Sequence, residues 1–417
     1  MNVTINPKKL IGSVDAPPSK SYAHRALIAA ALCFSQSIKI NNVALSEDIE
    51  ATMSCLESMG AHFTLGKQSG GRFGIVVNGI DRIPESAHLE CNESGSTLRF
   101  IIPICAALGV KSVFTGRGKL PLRPLDTYLR EMGKNGIDFK KPGDRYLPLK
   151  MSGRLRGGIF ETEGNISSQF ISGLMFALPL CSDDSHIVIE GELQSAGYAE
   201  MTAGTLRKFG VTVDRDEQMN CFVRGGQKYF NLKKSCLVEN DWSQAAFFHT
   251  ANFLGSELGI KITKNSVQPD SVIVDILKKI EEGSAFEFSM AQCPDILPIL
   301  TVAASFSQKP VTFTNAERLV IKESNRLKTA SDMINALGGR AEYSGDSLKV
   351  FPVESFTGGT VDGAGDHRIV MSAAIAATRA NSPVTIIGAE AVRKSFPDFW
   401  EVYESIGGEF SVFSIEE

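Results

Sequence analysis

The sequence predicts an α/β protein of six pseudo-repeated units, each with a buried helix at its centre and strands turned outward. Three observations carry this reading. Two kinds of helical segment alternate along the chain, one almost wholly apolar and one amphipathic, and each occurs six times. Each amphipathic segment runs into a Gly, and the runs that follow are β-like. A helix apolar on every side is buried, Gly just past the last turn stops a helix, and self-similarity at a long period marks a repeat architecture.

The apolar segments begin near Lys20, Gly95, Ser167, Asp241, Pro294 and Asp366, at a long and nearly regular spacing. The amphipathic segments run from Ile49 to Met59 before Gly60, Leu125 to Met132 before Gly133, and Met201 to Phe209 before Gly210. Three more run from Val272 to Glu282 before Gly283, Leu327 to Leu337 before Gly338, and Phe399 to Ile406 before Gly407. Runs such as Val211–Val213 and Ala341–Tyr343 then read as strands. A unit of two helices and several strands is larger than a solenoid repeat and suits α/β subdomains layered around their helices. The polar stretch from Gly225 to Lys234, between the third and fourth units, is the expected domain crossing.

Composition narrows the function. A chain of 417 residues has room for two or three domains. Its net charge of −4 argues against a nucleic-acid partner, so any anion recognition must rest on local cation clusters. The eight cysteines form no CxxC and fit reduced thiols rather than a disulfide framework or zinc site. The six histidines show no paired spacing, so no metal is expected. The start Met1–Ile5 is no signal peptide, and no run reaches membrane-spanning length without charges or breakers. A cytoplasmic protein with no membrane partner is expected.

The chemistry gathers where the apolar helices start. Lys20, Ser21 and Arg25 stand at the first start, where the helix dipole disfavours cations unless an anion is near. That segment reads either as a phosphate or carboxylate site or as a solvated turn. Glu93, Ser94 and Arg99 mark the second start, Ser167, Ser168 and Gln169 the third, and Asp241 and Ser243 the fourth. Asp295 marks the fifth, and Asp366, His367 and Arg368 the sixth. Helices packed side by side would turn these starts, with their free N–H donors, toward one cleft suited to an anionic substrate. Arg123 follows a Gly-rich loop, Lys322 and Arg326 share a helical face, and Lys394 precedes the last helix. Asp295 and Glu323 are the carboxylates placed for proton transfer. Beside cations, Glu323 would need burial to act as an acid.

In this combination and order the chain resembles the enolpyruvyl transferases, specifically the branch acting on shikimate 3-phosphate. The motifs are Lys20-Ser21 with Arg25, Ser94-Gly95-Ser96 with Arg99, Leu122-Arg123-Pro124, Ser167-Ser168-Gln169, and Ser195 with Tyr198. They continue with Lys322-Glu323 and Arg326, Asp366-His367-Arg368, and Lys394 to Asp398, so the likeness spans essentially the whole chain. It implies a two-domain inside-out α/β barrel architecture, three βαβαββ-type units per domain, with the N-terminal strand belonging to the C-terminal half. One domain would cover residues 19–239 and the other residues 1–18 plus 240–417. The family closes its domains around substrate.

The implied reaction transfers the enolpyruvyl group of phosphoenolpyruvate to the 5-hydroxyl of shikimate 3-phosphate and releases phosphate. It proceeds by addition and elimination through a tetrahedral intermediate, on the route to chorismate and the aromatic amino acids. No cofactor or metal is implied, and a monomer is expected. By the resemblance, shikimate 3-phosphate would be held by Lys20, Ser21, Arg25, Ser167, Ser168, Gln169, Ser195, Asp295 and Lys322. Phosphoenolpyruvate would lie against Lys20, Gly95, Arg123, Gln169, Arg326, Arg368 and Lys394. Asp295 would accept the hydroxyl proton with Lys322 nearby, and Glu323 would help protonate the methylene carbon. Glu93 stands where the family commonly has Asn, and Asn325 where Asp is usual. The sister branch acting on UDP-N-acetylglucosamine typically carries a Cys in the loop equivalent to Gly116–Arg123, and this loop has none.

Overall fold

The alternation of apolar and amphipathic segments becomes an alternation of interior and surface helices. The computed structural model describes residues 1–413. Among them lie α1 (Lys20–Ala31), α2 (Glu47–Ser58), α3 (Gly95–Leu108), α4 (Asp126–Lys134), α5 (Ser168–Ala177) and α6 (Ala196–Lys208). Then follow α7 (Trp242–Phe253), α8 (Ile273–Glu281), α9 (Leu297–Ala304), α10 (Arg326–Ala336), α11 (His367–Ala376) and α12 (Phe399–Ser405). Odd-numbered helices are buried almost all round; α9 and α11 are buried at every position. Even-numbered helices bury one stripe. On α8 it is Ile273, Ile276, Leu277 and Ile280, the spacing of a single helical face.

The polar residues at the buried starts are caps. Ser19, Ser94, Ser167, Asp241 and Asp366 each accept a hydrogen bond from a backbone N–H two or three residues on. Each cap is worth about 1 kcal/mol. The fifth start differs: a 3₁₀ turn, Pro294–Ile296, leads into α9.

At the other ends, Gly60, Gly210, Gly283, Gly338 and Gly407 adopt φ between +73° and +98°, a region costly for a residue with a Cβ. Gly133 does not stop α4. The last turn is held by Lys134 Nζ to the buried Glu131 carboxylate (3.0 Å) and by Asn135 Nδ2 to the Glu131 carbonyl (2.9 Å). The helix therefore runs on to Lys134, and Gly136 makes the left-handed turn at φ +96°.

Ala341–Tyr343 lies in a strand, Arg340–Ser344. Val211–Val213 does not, because the Gln227 side chain occupies both the N–H (2.9 Å) and the carbonyl (3.0 Å) of Thr212. The strand begins only at Asp214.

Each full repeat runs strand, buried helix, strand, amphipathic helix, then two strands. In one, Ile159–Glu163 pairs parallel with Ser185–Glu190, which pairs antiparallel with Cys221–Val223, itself antiparallel to Asp214–Arg215. The buried helix supplies the crossover that a parallel pair needs. Along Ser185–Glu190 burial alternates residue by residue, so one face of the sheet lies on the helices and the other faces solvent. Sheets beginning at Ser86 and Phe286 repeat the plan.

Two repeats are completed from a distance. Ser235–Leu237 lies parallel to Ser37–Val43, and Asn2–Asn6 fits between Val384–Ile387 and Glu409–Phe413. The fourth repeat is short. Among the described residues Ile11–Asp15 pairs with Glu257–Lys261 alone, in a two-stranded sheet, and α7 and α9 begin closer together than the other neighbouring buried helices. Among the described residues the sheets stay separate and do not join into one closed ladder.

The chain divides into two compact units, Pro18–Glu239 and Met1–Pro17 with the chain from Asn240 onward. Each has its own hydrophobic core. The stretch from Gly225 to Lys234 is therefore not the crossing. It stays in the first unit, tied by Gly226 N–H to the Cys181 carbonyl (2.6 Å) and Gln227 N–H to the Pro179 carbonyl (2.9 Å). Among the described residues no helix is long and apolar enough to cross a membrane.

Candidate active site

In the unit Pro18–Glu239, the starts of α1, α3 and α5 are tied together by side chains. Lys20 has an anion beside it from within the protein: its Nζ lies 2.7 Å from Asp48 of α2. Arg25 is buried and fully engaged. Its Nε donates to Thr202 Oγ1 (2.8 Å), and its terminal nitrogens donate to the carbonyls of Ser21 (2.8 Å) and Tyr198 (3.1 Å). Its guanidinium lies over the Phe100 ring at 5.1 Å. Burial pulls Arg25 down to about 10.

A run of buried hydroxyls joins α1 to the cap of α3. His24 Nδ1 lies 2.8 Å from Thr52 Oγ1, which lies 2.6 Å from Thr97 Oγ1, which donates to the cap hydroxyl of Ser94 (2.7 Å). Burial first, then the charges of Lys20 and Arg25, hold His24 far below the usual imidazole range, so the ring is neutral.

Gly95 follows that cap, and a Cβ there would stand 2.7 Å from a terminal nitrogen of Arg123. Arg123 is buried at the end of the 3₁₀ turn Leu120–Leu122. Gln169, in the first turn of α5 behind its cap Ser167 and the buried Ser168, accepts from Arg99 (2.8 Å) and donates to Ser96 Oγ (2.9 Å). Gly95, Arg99, Arg123 and Gln169 thus form one cluster. Ser195 is buried directly before α6 at φ +57°, a left-handed conformation of a non-glycine residue, whose cost of about 1–3 kcal/mol is typical of functional positions.

In the other unit, six charged groups interlock. Arg326, only 1% exposed, reaches three carboxylates: Asp295 (2.7 Å), Glu323 (2.7 Å) and Asp366 (2.8 Å). Asp295 also faces Lys322 (3.4 Å) and Arg368 (3.4 Å). Burial alone would raise the Asp295 carboxyl, but Lys322, Arg368 and Arg326 overcome it and hold the group well below its usual range. Lys322 is shifted down by burial and by its cationic neighbours, against the pull of Asp295. Arg368 donates to Ser243 (3.1 Å), which bonds Asp241, the cap of α7 (2.5 Å). Lys394 donates to the carbonyl of Gly365 (3.0 Å), one residue before the cap of α11.

The structure therefore brings the sequence-selected residues together in two sets, one in each unit. Sequence reasoning missed Asp48 beside Lys20, Thr202 behind Arg25 and Asp366 as the buried partner of Arg326. Pairing across such separations leaves no local pattern. Asp366 had one signal, its place at a buried helix start. Glu93 packs its carboxylate against Gly118, where a Cβ would come within 2.5 Å of it.

The model of the family described as EPSP synthase (3-phosphoshikimate 1-carboxyvinyltransferase) matches residues 5–403. A relative from Clostridium acetobutylicum called 3-phosphoshikimate 1-carboxyvinyltransferase is 41% identical over 429 aligned residues, covering 100% of this chain and 99% of the relative. One of the same name from Clostridium perfringens is 41% identical over 425, covering 97% and 98%. In fold, the chain is similar to the solved EPSP synthase of Acinetobacter baumannii, with a TM-score of 0.80 over 99% of this chain and 100% of that one at 23% identity.

Proposed function

The chain belongs to the EPSP synthase family, and from that premise we propose how its own residues carry the family's reaction. The enzyme transfers the enolpyruvyl group of phosphoenolpyruvate to the 5-hydroxyl of shikimate 3-phosphate and releases phosphate. One observation carries the assignment of roles: Asp295 is held ionised between Lys322, Arg326 and Arg368 at the entrance to a buried helix.

In that state Asp295 is a weak base. Three cations and three carboxylates balance in its cluster. Substrate anions that draw on Arg326, Arg368 and Lys394 would leave less positive charge for Asp295, and its proton affinity would rise as the site fills. Asp295 then takes the proton of the 5-hydroxyl as that oxygen bonds to C2 of phosphoenolpyruvate. A proton delivered to C3 through Glu323 completes the tetrahedral intermediate. Elimination breaks the C2–O bond to phosphate, Glu323 takes back a proton from the new methyl group, and the proton on Asp295 leaves with the phosphate. Lys322, shifted down, is the acid beside Asp295 that can pass the proton on.

In the other unit, Lys20, Ser21, Arg25, Ser167, Ser168, Gln169 and Ser195 hold shikimate 3-phosphate, and Gly95, Arg123 and Gln169 receive phosphoenolpyruvate. Gly95 suits a close approach because no Cβ intrudes, and Arg123 supplies a planar two-pronged grip on an anion. The reading assigns a cytoplasmic monomer that uses no metal or organic cofactor.

Phosphate release tests the reading. With phosphoenolpyruvate present, shikimate 3-phosphate should support turnover and UDP-N-acetylglucosamine should not. Release with only the UDP-sugar would move the chain to the sister branch, and release with neither acceptor at high enzyme would remove the reading.

A further inference from the structure

α3 carries Pro103 in its interior. Proline has no N–H, so the carbonyl of Arg99, four residues back, loses its ordinary helical partner. The Tyr128 hydroxyl on α4 donates to that carbonyl at 2.7 Å, with the Phe170 carbonyl of α5 3.1 Å away. α5 can come this close only because residue 173 is Gly. A Cβ there would stand 2.1 Å from the Tyr128 hydroxyl and 2.3 Å from the Arg99 carbonyl. The Tyr128 ring meets Phe170 edge-on at 4.8 Å and 90°, and the Phe170 ring lies under the Arg99 guanidinium at 5.0 Å. Pro103, Tyr128 and Gly173 thus form one joint between the two helices whose first turns bear Gly95 and Gln169.

We propose that Tyr128 is a positioning residue for the phosphoenolpyruvate half of the site; this deepens the proposed function and rests on it. One buried hydroxyl sets the approach of α5 to α3, and with it the register of Arg99 and Gln169 against Gly95 and Arg123. Tyr128 is 1% exposed and acts through these groups rather than on the substrate. The register is narrow. Arg99 to Gln169 and Gln169 to Ser96 are both direct bonds, at 2.8 and 2.9 Å, and Arg123 sits against the bare α-carbon of Gly95. Misplacement of binding groups by about 1 Å can cost about a hundredfold in rate.

A comparison of wild type with three variants tests it. Tyr128→Phe keeps the ring and removes the hydroxyl. Pro103→Ala puts an N–H where the Arg99 carbonyl can use it. Wild type, Y128F, P103A and the double variant are compared for Tm, kcat and the KM of each substrate. Y128F should raise the KM for phosphoenolpyruvate about tenfold, the equivalent of ~1.4 kcal/mol and in the range of one buried hydrogen bond. The KM for shikimate 3-phosphate should rise too, through Ser167, Ser168 and Gln169 at the start of α5, but less, since Lys20, Ser21 and Ser195 are not on this joint. P103A should resemble wild type while Tyr128 is present, and the double variant should regain Tm but stay as impaired as Y128F for phosphoenolpyruvate, because an N–H at residue 103 satisfies the Arg99 carbonyl within α3 and gives α5 no contact. A lowered Tm with both KM values unchanged would make Tyr128 structural only and overturn the inference. So would a double variant that regains the wild-type KM for phosphoenolpyruvate, since an unpaired Arg99 carbonyl would then account for the whole loss; should Y128F alone not fold, the double variant supplies the folded protein for the same comparison. A wild-type protein that fails to turn over removes the underlying reading instead, which the same assay reveals.

Discussion

Replacing Lys322 by Ala separates catalysis from folding at one residue. Its Nζ lies 3.4 Å from Asp295, a gross attraction of about 5 kcal/mol at an effective dielectric of 20. Little of that is net stability. The Lys322 side chain is 29% exposed, burial has already shifted it toward its neutral form, and Arg326 and Arg368 remain to neutralise Asp295. The expected cost to folding is at most ~1 kcal/mol, or about 2–4 °C in Tm. The proton-transfer role is not shared in this way, and removing a general acid or base costs about 10²–10⁴ in kcat. Steady-state kinetics beside a thermal melt provides the check. A kcat within about threefold of wild type, or activity that falls only with the folded fraction, would refute the reasoning.

Gly95→Ala should raise the KM for phosphoenolpyruvate roughly tenfold or more with little change in Tm, because the new methyl meets the guanidinium end of Arg123 rather than backbone; substrate titration of the folded variant measures this. Thr97→Val should lower stability by about 1–3 kcal/mol in urea titration, since it leaves Thr52 and Ser94 short of a buried partner. The carboxyls of Asp295 and Asp366 both lie below their usual range, burial being outweighed by Lys322, Arg368 and Arg326 for the first and by Arg326 for the second. The unfolded chain therefore binds the more protons in acid. The stability they add is whole above about pH 4 and lost as pH falls through the folded values. Asp366→Asn should flatten that acid limb of a stability–pH curve and cost about 3–5 kcal/mol at neutral pH by leaving Arg326 short of a buried partner.

Much of this was legible in the primary order. Apolar against amphipathic patterning located the twelve α-helices of the described residues, while the capping role of Ser19, Ser94, Ser167, Asp241 and Asp366 came only with the structure. What failed was local punctuation overridden by tertiary contacts. Gly133 is passed over because Lys134 and Asn135 hold the last turn of α4, and Val211–Val213 is denied a ladder by one Gln227 side chain. The short fourth repeat was not legible in the sequence, where the starts of the apolar segments look nearly regular. At the site, the motif residues could be named, Asp295 and Glu323 among them, whereas the pairings of Asp48 with Lys20 and of Asp366 with Arg326 could not. Asp48 and Asp366 find Lys20 and Arg326 across many intervening residues, and nothing in the sequence near either cation points to them. Tyr128 is likewise an ordinary aromatic on an amphipathic helix until Pro103 and Gly173 are placed beside it.

Phosphorus NMR of near-stoichiometric enzyme with shikimate 3-phosphate and phosphoenolpyruvate tests the central claim most directly. The account predicts that the phosphoenolpyruvate resonance gives way one for one to inorganic phosphate, while the 3-phosphate resonance persists at a shifted position, and that Asp295→Asn slows this sharply. An unchanged phosphoenolpyruvate resonance with folded wild-type protein would contradict it.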